Sequence, residues 1–162
     1  MFTRDLYGPG DALPTLDRWT IDLTAGKVVE ERLDDHPQEL PRMDERRLGR
    51  RHRYGYAPGL SLATGAVGVQ FGGLLKHDLD RGTTEERAFA PDQSAGEAVF
   101  VPASPSAGED EGWVLSLVYD GTRDSSDLVI LDASDFTGPE VARVHLPQRV
   151  PYGFHGWWLP DE

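Results

Sequence analysis

A repeated pattern constrains this chain more than any other feature. Asp22-Leu23 followed by Gly26 and Glu30 returns as Asp78-Leu79 followed by Gly82 and Glu86, every residue displaced by 56. Each copy reads as a strand, a tight turn and a return strand, and such self-similarity marks architectures that stack one small unit on the next. A looser third copy runs through Leu131-Asp132-Ala133, Gly138 and the segment 141–146. The loops after the three copies carry Glu39, Glu97 and His155, which follow one another at intervals of 58 residues. Equal spacing makes these equivalent positions, so that three neighbouring units would direct three polar groups toward one point.

The units themselves read as all-β. Gly and Pro, 18 and 12 in number, interrupt the chain too often for an amphipathic helix to run much beyond two turns. Short alternating or β-branched segments lie between them, with strands expected at 18–23, 27–33, 53–57, 66–71, 74–79, 98–102, 113–119, 127–132 and 141–146. A short helical turn is expected near Met43 to Arg50. Repeats of this length built from antiparallel meanders point to β-propeller blades, whose inner strands surround a central axis. The 162 residues supply about two to three such blades, fewer than the typical four to eight of a closed ring. Residues 1–162 are therefore expected to be a single segment of a propeller domain, with the missing blades upstream.

Composition removes several classes of function. The formal charge of −12, with acidic residues spread along the chain, disfavours nucleic acid, which needs a basic surface. Arginines cluster only between Arg42 and Arg53, where Asp44 and Glu45 interrupt them. The absence of cysteine excludes disulfides and thiolate metal sites, leaving imidazole and carboxylate as metal donors. No apolar run approaches the roughly 20 residues of a membrane span, and the first residues do not open into a signal-peptide core. A cytoplasmic location is the resulting expectation, with peripheral membrane contact through separate loops still compatible with the sequence.

Six motifs then narrow the reading. Leu16-Asp-Arg-Trp19-Thr-Ile-Asp22-Leu, Glu39-Leu-Pro41-Arg-Met-Asp44, Gly49-Arg-Arg-His-Arg-Tyr54-Gly-Tyr56, Gly96-Glu97-Ala-Val-Phe100-Val-Pro102, Glu109-Asp-Glu-Gly112-Trp113 and Leu146-Pro-Gln-Arg-Val-Pro151-Tyr-Gly153-Phe154-His155-Gly156 occur in that order. Together they resemble the C-terminal part of the carotenoid oxygenase family, which includes carotenoid, apocarotenoid and stilbene cleavage dioxygenases and a retinoid isomerase. The resemblance implies a partial seven-bladed β-propeller carrying ferrous iron, Fe(II), on four imidazoles, with glutamates accepting hydrogen bonds from those rings. It implies that His155 is a metal ligand, that Glu39 and Glu97 support ligand imidazoles, and that Phe154 lies near an apolar substrate tunnel. It implies O2 and a polyene or stilbene-like substrate, cleaved at a C=C bond. The family has Phe more often than Leu at position 40, and its other three ligands lie in upstream blades.

Other readings follow from the residues alone. His155 beside Trp157 and Trp158 suits a loop cap, and glutamates in loops are most often solvated. Glu39 and Glu97 also invite comparison with a glycosidase acid and base pair, which needs carboxyl groups about 5–9.5 Å apart. A chain with one ligand out of four is equally compatible with a non-catalytic propeller fragment or binding module. The acidic run 109–111 and the arginines from Arg46 to Arg53 read as turn and surface elements.

Overall fold

The computed structural model describes residues 13–62, 69–151, 153 and 155–160. Its regular structure is β throughout, apart from one 3-10 turn at Glu45–Arg47 whose N-cap is Asp44. That turn sits where a short helical turn was expected, and the Asp44 side chain accepts from Arg46 N to close it.

Among the described residues, eleven strands form three antiparallel groups. β1 (Leu16–Asp22) and β2 (Lys27–Asp34) make an isolated hairpin. β3 (Arg42–Met43), β4 (Tyr54–Leu62), β5 (Val69–Asp78) and β6 (Thr83–Arg87) make a four-stranded meander. In the third group, β7 (Gln93–Ala95) and β8 (Val99–Pro102) both pair with β9 (Gly112–Asp120), followed by β10 (Ser125–Asp132) and β11 (Ala142–His145). β7 and β8 are one interrupted inner strand, so this group is a second four-stranded meander. The architecture is all-β, two propeller blades preceded by a hairpin that matches the outer half of another.

The repeat is visible in the turns. Asp22, Asp78 and Asp132 each end the third strand of a unit. Each accepts a hydrogen bond from the N–H two residues on, Thr24 at 2.9 Å, Asp80 at 3.2 Å and Ser134 at 2.8 Å. Short acidic side chains favour such turns because they bond their own backbone. Gly26 and Gly82 follow with φ of +61° and +64°, the left-handed conformation that glycine adopts without strain. One expectation needs revision: among the described residues, 69–71 and 74–78 do not form two strands but lie on a single β5. Within it Gly73 lets β6 come so close that a Cβ would lie 2.4 Å from Arg87 O.

The two blades bury their facing sides against each other. Along β9 and β10, Val114, Val118, Val129 and Leu131 point one way, as the two-residue strand period requires, and meet Tyr56 and Leu74 of the first blade. The Tyr56 ring stacks parallel to Phe100 with centroids 5.9 Å apart, and Phe136 closes the cluster. Polar links tie the blades further: Ser94 Oγ donates to Phe71 O, and buried Lys76 donates to Ala133 O at 2.6 Å. Among the Arg46 to Arg53 side chains, Arg46 donates to the carbonyls of Ser104, Pro105 and Gly108, and Arg53 pairs with Asp78. Glu109 accepts from the N–H groups of Arg53 and Tyr54, so the acidic run is structural.

Candidate functional site

The inner strand of each blade carries the same defect. In the first blade Gln38 bridges Gly59, but the pairing resumes as Arg42 with Tyr56 and Met43 with Gly55, one residue out of step. In the second, Gly96 N donates to Leu117 O, and the pairing resumes as Phe100 with Val114 and Val101 with Trp113. Adding 58 to both partners of every pair in the first set gives a pair of the second. The extra residue of such a bulge leaves the ladder, and its side chain is re-aimed. Glu39 and Glu97 occupy that bulge in their respective blades, so the spacing read from sequence corresponds to a shared backbone feature.

Glu97 turns inward from its bulge and is only 5% exposed. Its Oε1 lies 2.9 Å from His155 Nδ1, and its Oε2 accepts from Gly156 N at 2.6 Å. A carboxylate has only acceptor capacity, so Nδ1 carries the proton and the lone pair of the neutral ring is on Nε2. His155 follows β11 in a segment without regular structure, and its side chain is 69% exposed. Glu97 therefore anchors one edge of the ring while the rest faces outward. A metal-binding imidazole has this arrangement, because a carboxylate on the second nitrogen fixes the tautomer and raises ligand basicity.

A third residue completes the cluster. Arg42 Nη1 lies 2.9 Å from Glu97 Oε2 and 2.9 Å from Gly156 O, while Nη2 pairs with Glu45. Its guanidinium also lies over Trp157, 5.3 Å from the ring centroid. The Arg42 side chain is 12% exposed, so an extensively buried charge pair joins β3 of one blade to the bulge of the next. Burial of this kind is tolerated only when both charges are paired and bonded. Sequence reasoning did not find Arg42. A signal was present: the 58-residue shift sets Arg42 against Phe100, a charge where the other copy has an aromatic.

Beside the cluster lies a cavity of about 340 Å³, lined on one side by Leu115, Leu117 and Leu128 and on the other by Val150, His155 and Trp158. Glu97 is among its walls and Glu39 is not. Glu39 is partly buried, its N–H donates to Pro58 O at 3.2 Å, and Leu40 beside it has φ of 50°. The structure thus joins Glu97 to His155 but does not bring Glu39 to the same cavity. Phe154 lies outside the described residues. With both Glu97 oxygens engaged by His155, Gly156 and Arg42, an acid and base pair with Glu39 has no support in this geometry.

Three of the other four histidines, His36, His77 and His145, are occupied elsewhere. His36 and His145 pair with Asp34 and Asp127 at 2.8 and 2.9 Å. His77 is buried between Gln38 Oε1 and Thr84 Oγ1, and burial lowers its pKa below the usual imidazole value. Among the described residues no three His, Asp or Glu side chains are grouped to hold a metal. A metal held by His155 would need further ligands from outside those residues.

Propeller blades with a glutamate-anchored imidazole at the inner edge define a class of protein, and sequence comparison shows which one. The chain belongs to the family described as retinal pigment epithelial membrane protein, whose pattern it matches over residues 3–160. It is 43% identical over 163 residues to a Mycobacterium tuberculosis carotenoid cleavage oxygenase, a match spanning 99% of this chain and 32% of that protein. Isoeugenol monooxygenase of Pseudomonas nitroreducens is 35% identical, over 95% of this chain and 34% of its own length. The solved structure of cobalt-substituted Synechocystis apocarotenoid oxygenase superimposes with a TM-score of 0.83 at 37% identity, covering 91% of this chain and 30% of that one. The chain thus spans about a third of the length of these relatives. The fold assigned above is part of their propeller.

Proposed function

We propose that this chain contributes to a non-haem Fe(II) dioxygenase that cleaves a C=C bond of a carotenoid, apocarotenoid or stilbene-like substrate. The observation that carries the reading is the His155 Nδ1 contact to buried Glu97 at 2.9 Å, which leaves Nε2 directed outward as a ligand. Imidazole suits iron of this kind, and iron bound there would supply the activation of O2. The chain's own residues hold and orient the ring. Glu97 keeps the proton on Nδ1, Gly156 N–H and Arg42 hold the carboxylate, and the aliphatic wall of Leu115, Leu117 and Leu128 keeps water from one side. Glu39 is assigned the same supporting role for an imidazole supplied from elsewhere, on the strength of its equivalent bulge.

The three alkene classes of the proposal set the choice of substrates. An apocarotenal, a carotenoid and a hydroxystilbene are incubated under isotopically labelled O2 with the protein purified in the form its gene encodes, supplied with ferrous iron. Two carbonyl products from one of them, absent in His155→Ala, support the reading. Binding of the polyene without turnover would instead favour the non-catalytic module, and neither binding nor turnover would end both readings.

A further inference from the structure

The cluster contains a residue that the proposed iron site does not require, and its position is unusual. Arg42 belongs to β3 of the first blade, yet it faces Glu97 on the bulge of the second. Its guanidinium takes Oε2 of Glu97, the Gly156 carbonyl and Glu45 together, and it lies against Trp157. It therefore contacts both sides of His155's support, the carboxylate on which the ring rests and the two residues that follow the ring in sequence.

The chemistry of the carboxylate decides what this does. Glu97 has two oxygens and three donors in reach: His155 Nδ1, Gly156 N and the Arg42 guanidinium. Arg42 and Gly156 share Oε2, which leaves Oε1 to the imidazole. The rotation of the carboxylate sets which oxygen faces the ring, and Arg42 together with the Gly156 N–H fixes that rotation by holding Oε2. Without that hold the carboxylate turns its acceptor away from Nδ1, and the ring's hydrogen is free to sit on Nε2, the nitrogen that must be bare to bind metal. The Arg42 bond to Gly156 O also restrains the backbone next to His155. We infer that Arg42 is a positioning residue: across the blade boundary it holds Glu97 as an acceptor and thereby sets the His155 tautomer with Nε2 unprotonated. This inference rests on the proposed role of His155, but its test needs no metal.

The test is the imidazole nitrogen spectrum of His155 in metal-free protein, in the form its gene encodes, recorded by two-bond 15N–1H correlation with His155→Gln for assignment. The wild type is expected to show the Nδ1–H tautomer. Arg42→Met is expected to shift at least half of the population to the Nε2–H tautomer or to an exchanging mixture. Arg42→Lys, which retains the charge, is expected to restore most of the wild-type signal. A role confined to packing would leave the spectrum of folded Arg42→Met unchanged, and that result overturns the inference. Should Arg42→Met fail to fold, Arg42→Gln serves in its place, with a tautomer shift supporting the inference and an unchanged spectrum overturning it. A wild type without the Nδ1–H tautomer would instead overturn the Glu97–His155 reading itself, so the two failures are distinguishable.

Discussion

Hairpins β1–β2 and β5–β6 carry the same local instructions and reach different ends. Both close on an aspartate and a left-handed glycine, with Asp22 and Asp78 accepting from the same two turn positions. Yet β5 buries Leu74, Leu75 and His77, whereas β1 leaves Trp19 64% exposed with Ile21 and Val28 bare on the same face. The difference is what lies alongside. β5 has β4 as a sheet partner and the second blade across its face, while β1–β2 forms a sheet by itself. Turn chemistry sets a hairpin's shape, but its burial depends on neighbouring strands, and apolar faces of this kind normally mark a surface that another element covers.

The largest test of that contrast compares one aromatic from each region. In the 162-residue chain, Tyr56→Ala should cost about 3–5 kcal/mol, the range for emptying a packed aromatic site. Trp19→Ala should stay within about 0.5 kcal/mol, as exposed substitutions do. Chemical denaturation of both variants measures the gap, and a large loss at Trp19 would show that its face is covered in solution.

A smaller effect separates the two turn aspartates. The Arg53 guanidinium bonded to Asp78 outweighs the opposing effect of burial and lowers its pKa from 3.8 to about 2. A folded-state value below the unfolded one stabilises the protein fully above the ordinary aspartate range, and this stability is lost as pH falls from 3.8 through about 2. Arg53→Gln should flatten the acid limb of a stability profile over that window. Asp78→Ala should also destabilise more than Asp22→Ala, because it removes the Arg53 partner as well as the turn bonds.

The two glycines should behave alike. Gly26→Ala and Gly82→Ala each place a side chain in left-handed backbone at a cost of about 1–2 kcal/mol, with open space around both. Thermal melts that separate them widely would mean that packing, not φ, governs one of the turns.

The same contrast explains what was legible in the sequence. The turns, most of the longer strands and the 58-residue spacing were, because each depends on residues close in sequence or on repetition. The bulges were not, although they are what the spacing registers, since a one-residue slip of pairing leaves no compositional trace. Arg42 was hidden for a related reason. Its partners Glu97 and Gly156 are contributed by another blade and by the segment after β11, and only the packed structure brings the three together. β3 and β7, of two and three residues, are too short to show any periodicity.

In the proposed site His155 offers Nε2 to a metal because Glu97 occupies Nδ1. Anomalous diffraction across the iron edge, from crystals of the protein in the form its gene encodes grown with ferrous iron, tests it directly. An iron peak is expected about 2.1 Å from His155 Nε2, the usual metal–imidazole distance, with the Glu97 contact to Nδ1 intact. A peak beside Nδ1, or iron bound with His155 outside its coordination sphere, would contradict it.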